Sequence, residues 1–150
     1  MSAASRQARL AVLLSGSGRT LLNLLEHIRS GSLPARVELV IGSRECLGAQ
    51  RARDAGLTTR VMPGVIPAAT LSTLLQEHRI DWVVLAGYLK LIQIPPAFAG
   101  RIVNIHPSLL PAFGGPGMYG DRVHDAVIRC GERTSGCTVH LVDEVYDHGR

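Results

Sequence analysis

Leu10-Ala-Val-Leu-Leu14 runs directly into Ser15-Gly-Ser-Gly-Arg-Thr20, and beyond it Leu21, Leu22, Leu24, Leu25 and Ile28 recur at helical spacing. A short apolar run, a glycine-rich turn and an amphipathic helix, in that order, commit the start of the chain to a strand–turn–helix unit. The alternation then repeats. Residues 37–41 read as a second strand, and residues 47–55 as a helix closed by Gly56, since glycine readily adopts the left-handed conformation of a helix end. Residues 60–62 form a weak third strand, 71–78 a helix, and 82–86 the clearest buried strand. A fifth strand covers 102–105, a helix 122–130, and a sixth strand, with alternating polarity, 137–142. Strands alternating with helices predict an α/β fold: a doubly wound, mostly parallel, Rossmann-like sheet of about six to seven strands with helices on both faces.

In such sheets ligands bind outside the carboxyl ends of the strands. The compositionally unusual segments 15–20, 87–92 and 104–120 all fall there. The last is rich in proline and glycine, and a loop of that length inside a domain is usually functional or disordered.

With 150 residues, 46% hydrophobic and 19% charged, the chain matches one globular domain. That balance excludes a disordered tail, a collagen-like fibre and a disulfide-stapled miniprotein. The longest nearly unbroken apolar stretch, 82–89, falls far short of the ~20 residues that a bilayer span requires. The net charge is +4, and Lys90 is the only lysine. The arginines are scattered and aromatics are few, so no nucleic-acid partner is expected, while a small phosphorylated ligand suits the charge. Cys46, Cys130 and Cys137 form no C-x-x-C pair, which together with a missing secretory signal predicts a reducing, cytoplasmic location.

Three motifs carry chemistry. Residues 15–20 enter a helix N-terminus, where unpaired N–H groups favour an anion. Leu21 stands where the dinucleotide fingerprint needs glycine, and no lysine follows the glycines, so neither a dinucleotide motif nor a P-loop is present. The plain alternative is a tight turn that uses glycine for its backbone freedom. Asn104 and His106 lie two apart on a strand and face one side. An amide beside an imidazolium suits stabilisation of negative charge on a carbonyl oxygen. A lone histidine at a strand end is more readily explained by a bond to a backbone carbonyl. The third segment, 143–149, follows the last strand and brings Asp143 and Asp147 into a loop, where a carboxylate beside His106 would orient it and handle protons through water. His124 and His148 are spare, but no helical H-x-x-x-H pair exists and no metal is expected. Ser108 lacks a G-x-S-x-G elbow, and Cys137 reads as a core residue.

In this order, LAVLLSGSGRTLLNLL at 10–25, DWVVLAGYLKLI at 81–92, RIVNIHPSLLPAFGG at 101–115 and SGCTVHLVDEVYDHG at 135–149 resemble the phosphoribosylglycinamide formyltransferase family, folate-dependent transformylases of purine biosynthesis. The resemblance implies that 10-formyltetrahydrofolate is the co-substrate and glycinamide ribonucleotide the acceptor, with Asn104, His106 and Asp147 catalytic. It implies phosphate binding by Gly18, Arg19 and Thr20. It also implies pterin-binding walls made by Tyr88, Leu89, Lys90, Leu91 and Ile92 on one side and Leu141, Val142 and Asp143 on the other. No metal, nucleic acid or membrane is implied, and the oligomeric state is monomer or homodimer. Thr20 stands where many members carry asparagine, and the loop 114–120 is longer than in many. Relatives continue past the D-x-G for tens of residues, so a single formyltransferase domain over residues 1–150 is expected to lack the family's C-terminal segment. The competing expectations are a shortened copy that binds ligands without transferring formyl, or another formyltetrahydrofolate-using enzyme.

Overall fold

Consecutive apolar residues are all buried only when a strand is covered on both faces. The strand β1 (Ala8–Leu14) meets that condition in the computed structural model, which describes residues 6–148. Gly149 and Arg150, which include the end of the D-x-G segment, lie outside the described residues. Ala11 and Leu13 point into one apolar layer and Val12 and Leu14 into the other, all four wholly buried. Each side chain of leucine size removed from water contributes about 1.5–3 kcal/mol, so β1 alone anchors both layers.

The elements that follow are α1 (Arg19–Arg29), β2 (Ala35–Gly42), α2 (Leu47–Asp54), β3 (Thr59–Val61), α3 (Ala68–Glu77), β4 (Trp82–Leu85), β5 (Ile102–His106), α4 (Asp121–Arg129) and β6 (Thr138–Leu141). The sheet order is β3-β2-β1-β4-β5-β6. Five strands are parallel and β6 runs antiparallel to β5, so the described residues form the mostly parallel doubly wound sheet that the strand–helix alternation implies. Leu21 of α1 and Ala52 of α2 pack in one layer, Leu71 and Leu75 of α3 in the other. Among the described residues no helix is long and apolar enough to cross a membrane.

Two local features escape a strict alternation. The register between β1 and β2 shifts after Leu10, and Glu38 is skipped. Val37 and Leu39, two apart, therefore serve opposite layers, because the extra residue flips the side-chain sequence. Cys137 is exposed, contrary to the core position expected for it, because the two-residue period puts it on the face of Val139, which is 63% exposed in β6.

The connection from β3 through α3 to β4 crosses to the far side of β1. The strand order thus reverses between β1 and β4, and a crevice opens beyond their carboxyl ends.

Candidate active site

A cavity of about 540 Å³ occupies that crevice, within the usual size of a small-molecule site. Gly16 and Thr20 after β1, Tyr88 to Ile92 after β4, and Asn104 and His106 of β5 line it. So do residues 115–120 and the segment from Val142 to Asp147. Three of the residues expected at the site, Gly18, Arg19 and Leu141, do not line it. Gly18 supports the turn from behind, Arg19 is exposed on the first turn of α1, and Leu141 pairs with Val103 in the sheet.

The turn after β1 is built by two backbones in contact. Gly18 caps α1 with φ +75°, and a Cβ there would lie 2.6 Å from the Cα of Gly48. Gly48 sits just as tightly on the turn, its N–H donating to the Gly16 carbonyl at 2.8 Å. Arg51 donates to the Ser17 carbonyl at 2.7 Å and Arg44 Nε to the Ser15 carbonyl at 2.8 Å. No side chain caps α1, which leaves its first N–H groups available to an anion beside guanidinium groups.

At the other end, the side-chain period of two places Asn104 and His106 on one face of β5, and the antiparallel register sets His140 of β6 directly opposite Asn104. The Asn104 amide nitrogen lies 3.2 Å from His140 Nε2 and donates to Asp147 Oδ1 at 3.4 Å. The same oxygen lies 3.3 Å from His106 Nδ1 and 3.9 Å from His140 Nε2. One carboxylate oxygen therefore faces three nitrogen groups. His106 and His140 are almost wholly buried, and Asp147 nearly so.

Tautomers follow from the partners, because a carbonyl only accepts. His106 Nε2–H donates to the Phe113 carbonyl at 2.7 Å, leaving Nδ1 toward Asp147. His140 Nδ1–H donates to the Leu141 carbonyl at 3.1 Å, leaving Nε2 to accept from Asn104. His106 thus has one ring nitrogen on a backbone carbonyl and the other facing the cavity carboxylate.

Asp147 has φ +53° and Phe113 φ +57°, a conformation that costs a non-glycine residue about 1–2 kcal/mol. Strain of this kind concentrates where geometry is being enforced. Here it turns the Asp147 carboxylate so that Oδ2 accepts from the Gly115 N–H at 2.9 Å, tying loop 114–120 to the site. Gly114 allows that approach, since a Cβ there would fall 2.7 Å from Leu110 Cδ2 and 3.3 Å from Asp147 Cβ.

His140 is the residue that the sequence reading missed; loop 115–120, part of the unusual segment 104–120, lines the cavity although no residue role was expected for it. His124 is exposed on α4, and His148 bonds the exposed Asp143 at 2.7 Å, so neither joins this cluster. The hydrogen bond from His148, with that from the Val145 N–H, holds the Asp143 carboxyl below the usual carboxylate range. Burial pushes the Tyr88 phenol up, because its charged form loses hydration. Tyr88 therefore stays neutral at the cavity wall through ordinary pH. In a spectrophotometric titration of the three tyrosines, the expected last ionisation belongs to Tyr88 and is absent from Tyr88→Phe. An unchanged final step in that variant removes Tyr88 from the buried wall.

An amide, an imidazole and a carboxylate converging on a largely apolar cavity can bind a developing oxyanion and move a proton. Nucleophilic catalysis by Ser108 does not fit, because its wholly buried hydroxyl donates to the Ala112 carbonyl at 2.8 Å.

Residues 8–150 match the family model described as formyl transferase. The chain is 46% identical to a chloroplastic phosphoribosylglycinamide formyltransferase of Vigna unguiculata over 97% of its own length and 49% of that protein's. It thus spans about half the length of the curated plant relatives it matches. The phosphoribosylglycinamide formyltransferase of Haemophilus influenzae is 34% identical, with 94% of this chain and 68% of that one covered. Among solved structures, glycinamide ribonucleotide transformylase 1 of Symbiobacterium toebii superposes with a TM-score of 0.85 at 39% identity, covering 97% of this chain and 70% of that chain. The match to the family model over nearly the whole chain and the likeness to these relatives and to that fold agree: this chain belongs to the formyl transferase family.

Proposed function

We propose that the chain transfers the formyl group of 10-formyltetrahydrofolate to the amine of glycinamide ribonucleotide, in purine biosynthesis. One observation carries this reading. Asn104, His106 and Asp147 converge on a cavity whose opposite wall begins at an uncapped helix N-terminus, so a charge-stabilising cluster and an anion cradle share one crevice.

In this mechanism the phosphate of the ribonucleotide lies at Gly18, Arg19 and Thr20, held by N–H groups of α1. The pterin lies between 88–92 and Val142–Asp143, where backbone groups read the ring edge and apolar side chains exclude water. Leu141 contributes through its place in β6. The amine attacks the formyl carbon, and the carbonyl oxygen takes up the electron pair. Asn104 donates to that oxygen, as does a proton on His106 Nδ1; removal of one such donor typically costs about 2.7–4 kcal/mol of barrier. Asp147 orients His106 and passes the proton lost by the amine through water to the departing folate nitrogen. Collapse of the tetrahedral intermediate breaks the carbon–nitrogen bond to folate, giving the formylated ribonucleotide and tetrahydrofolate. Neither a metal nor a covalent enzyme intermediate takes part. The same proposal places the protein in the cytoplasm as a monomer or homodimer with no nucleic-acid partner; the plant relatives are named chloroplastic.

The test is incubation of the protein with both substrates, following formylated ribonucleotide, beside a reaction without the ribonucleotide that follows formate release. Transfer that requires the ribonucleotide is expected. Formate released at the same rate without it assigns the site to formyltetrahydrofolate hydrolysis instead. Ligand binding without either product assigns a binding role only.

A further inference from the structure

Ser15 follows the last residue of β1 and does not line the cavity, yet every polar atom it owns is engaged. Its N–H donates to the Gly87 carbonyl at 3.0 Å, and its carbonyl accepts from Arg44 Nε at 2.8 Å. Its hydroxyl lies 2.5 Å from the Ser43 hydroxyl and accepts from the Leu89 N–H at 2.9 Å. Ser15 is 1% exposed and Ser43 5%. The segments that leave the carboxyl ends of the three adjacent strands β2, β1 and β4 are therefore tied through one side chain. That knot sits where the anion turn leaves β1 and the 88–92 wall leaves β4.

We infer that Ser15 is a positioning residue whose hydroxyl fixes the Leu89 main chain, and with it the folate wall, against the phosphate turn. The inference rests on the two-ligand reading above. The turn itself has separate supports, the Gly48 N–H on the Gly16 carbonyl and Arg51 on the Ser17 carbonyl, so it survives loss of the hydroxyl. The wall has no such substitute at Leu89. Without the Ser15 oxygen its N–H is left unsatisfied or the peptide turns to find another partner. Ser43 reaches Leu89 only through Ser15, and its removal leaves the direct bond intact.

The experiment compares Ser15→Ala, Ser43→Ala and the parent chain in two ways. Amide hydrogen exchange at Leu89 is read in the ligand-free protein by NMR. Affinities for tetrahydrofolate and glycinamide ribonucleotide are read by titration calorimetry. Expected for Ser15→Ala are faster exchange at Leu89 and tetrahydrofolate binding weakened about tenfold, the cost of one orphaned donor. Ribonucleotide binding stays within about threefold, and Ser43→Ala shows the same pattern in weaker form. Unchanged Leu89 exchange in Ser15→Ala overturns the inference, and so does an equal loss for both ligands, which marks a purely structural serine. A parent chain that binds neither ligand sinks the functional reading, while the exchange measurement still decides whether Ser15 holds Leu89.

Discussion

Asp147→Asn lowers turnover by about 10²- to 10⁴-fold, the usual worth of a positioned acid–base group, while the ribonucleotide and folate still bind. The size of the effect follows from what an amide cannot do in this place. Asp147 uses two acceptor oxygens: Oδ2 takes the Gly115 N–H, and Oδ1 faces His106 Nδ1 and the Asn104 amide. Asparagine has one acceptor. With its oxygen on Gly115, its NH₂ meets the donor amide of Asn104 and offers no partner to a proton on His106 Nδ1. Rotated the other way, its NH₂ meets the Gly115 N–H and loosens the loop. Either orientation leaves one donor facing another, at a cost of about 1–3 kcal/mol in stability. Steady-state kinetics beside titration calorimetry checks the prediction. A variant that turns over like the parent removes Asp147 from the proton path, and one that loses ligand affinity in proportion to rate reduces it to a loop anchor.

How far the sequence foretells this arrangement depends on the range of the interactions involved. The unit β1–turn–α1 is legible because its signals are local: a short apolar run, glycines, then a 3.6-residue period. Asn104 and His106 share a face for an equally local reason, the two-residue period of a strand. Sheet order is not local. Nothing in residues 59–61 or 82–85 states that they lie on opposite sides of β1, although the reversal there is what opens the crevice. The direction of β6 is equally hidden, and with it the role of His140. A histidine on a short strand has no signature until the antiparallel register sets it opposite Asn104. The partner of His106 Nε2 is a backbone carbonyl, and Phe113 reaches it only through a positive φ that its residue type does not announce. The exposure of Cys137 is hidden for the same reason: which face of β6 meets solvent depends on what packs against the sheet, and Cys137 shares the exposed face of Val139.

Gly18→Ala destabilises the protein by about 2–5 kcal/mol and shifts its melting temperature down by about 10 °C, and in the folded fraction it weakens the ribonucleotide more than the folate. Two independent costs combine. At φ +75° any Cβ strains the backbone, and this Cβ would lie 2.6 Å from the Gly48 Cα, a backbone atom that cannot rotate away. Relief requires α1 and α2 to part. That movement drags the first turn of α1, whose N–H groups form the proposed phosphate cradle, and leaves the 88–92 wall in place. Gly48→Ala provides the reciprocal control. It carries no conformational penalty, but its Cβ would press on the Gly16 carbonyl at 2.8 Å and on Leu14 Cδ1 at 2.9 Å, disturbing the same turn from the other side. Because both variants strain one contact, their double mutant loses less than the sum of the two, as coupled neighbours do. Thermal melts and paired titrations with ribonucleotide and tetrahydrofolate read all three effects. If a folded Gly18→Ala protein loses both affinities equally, the turn is scaffold alone and the phosphate must sit elsewhere in the crevice.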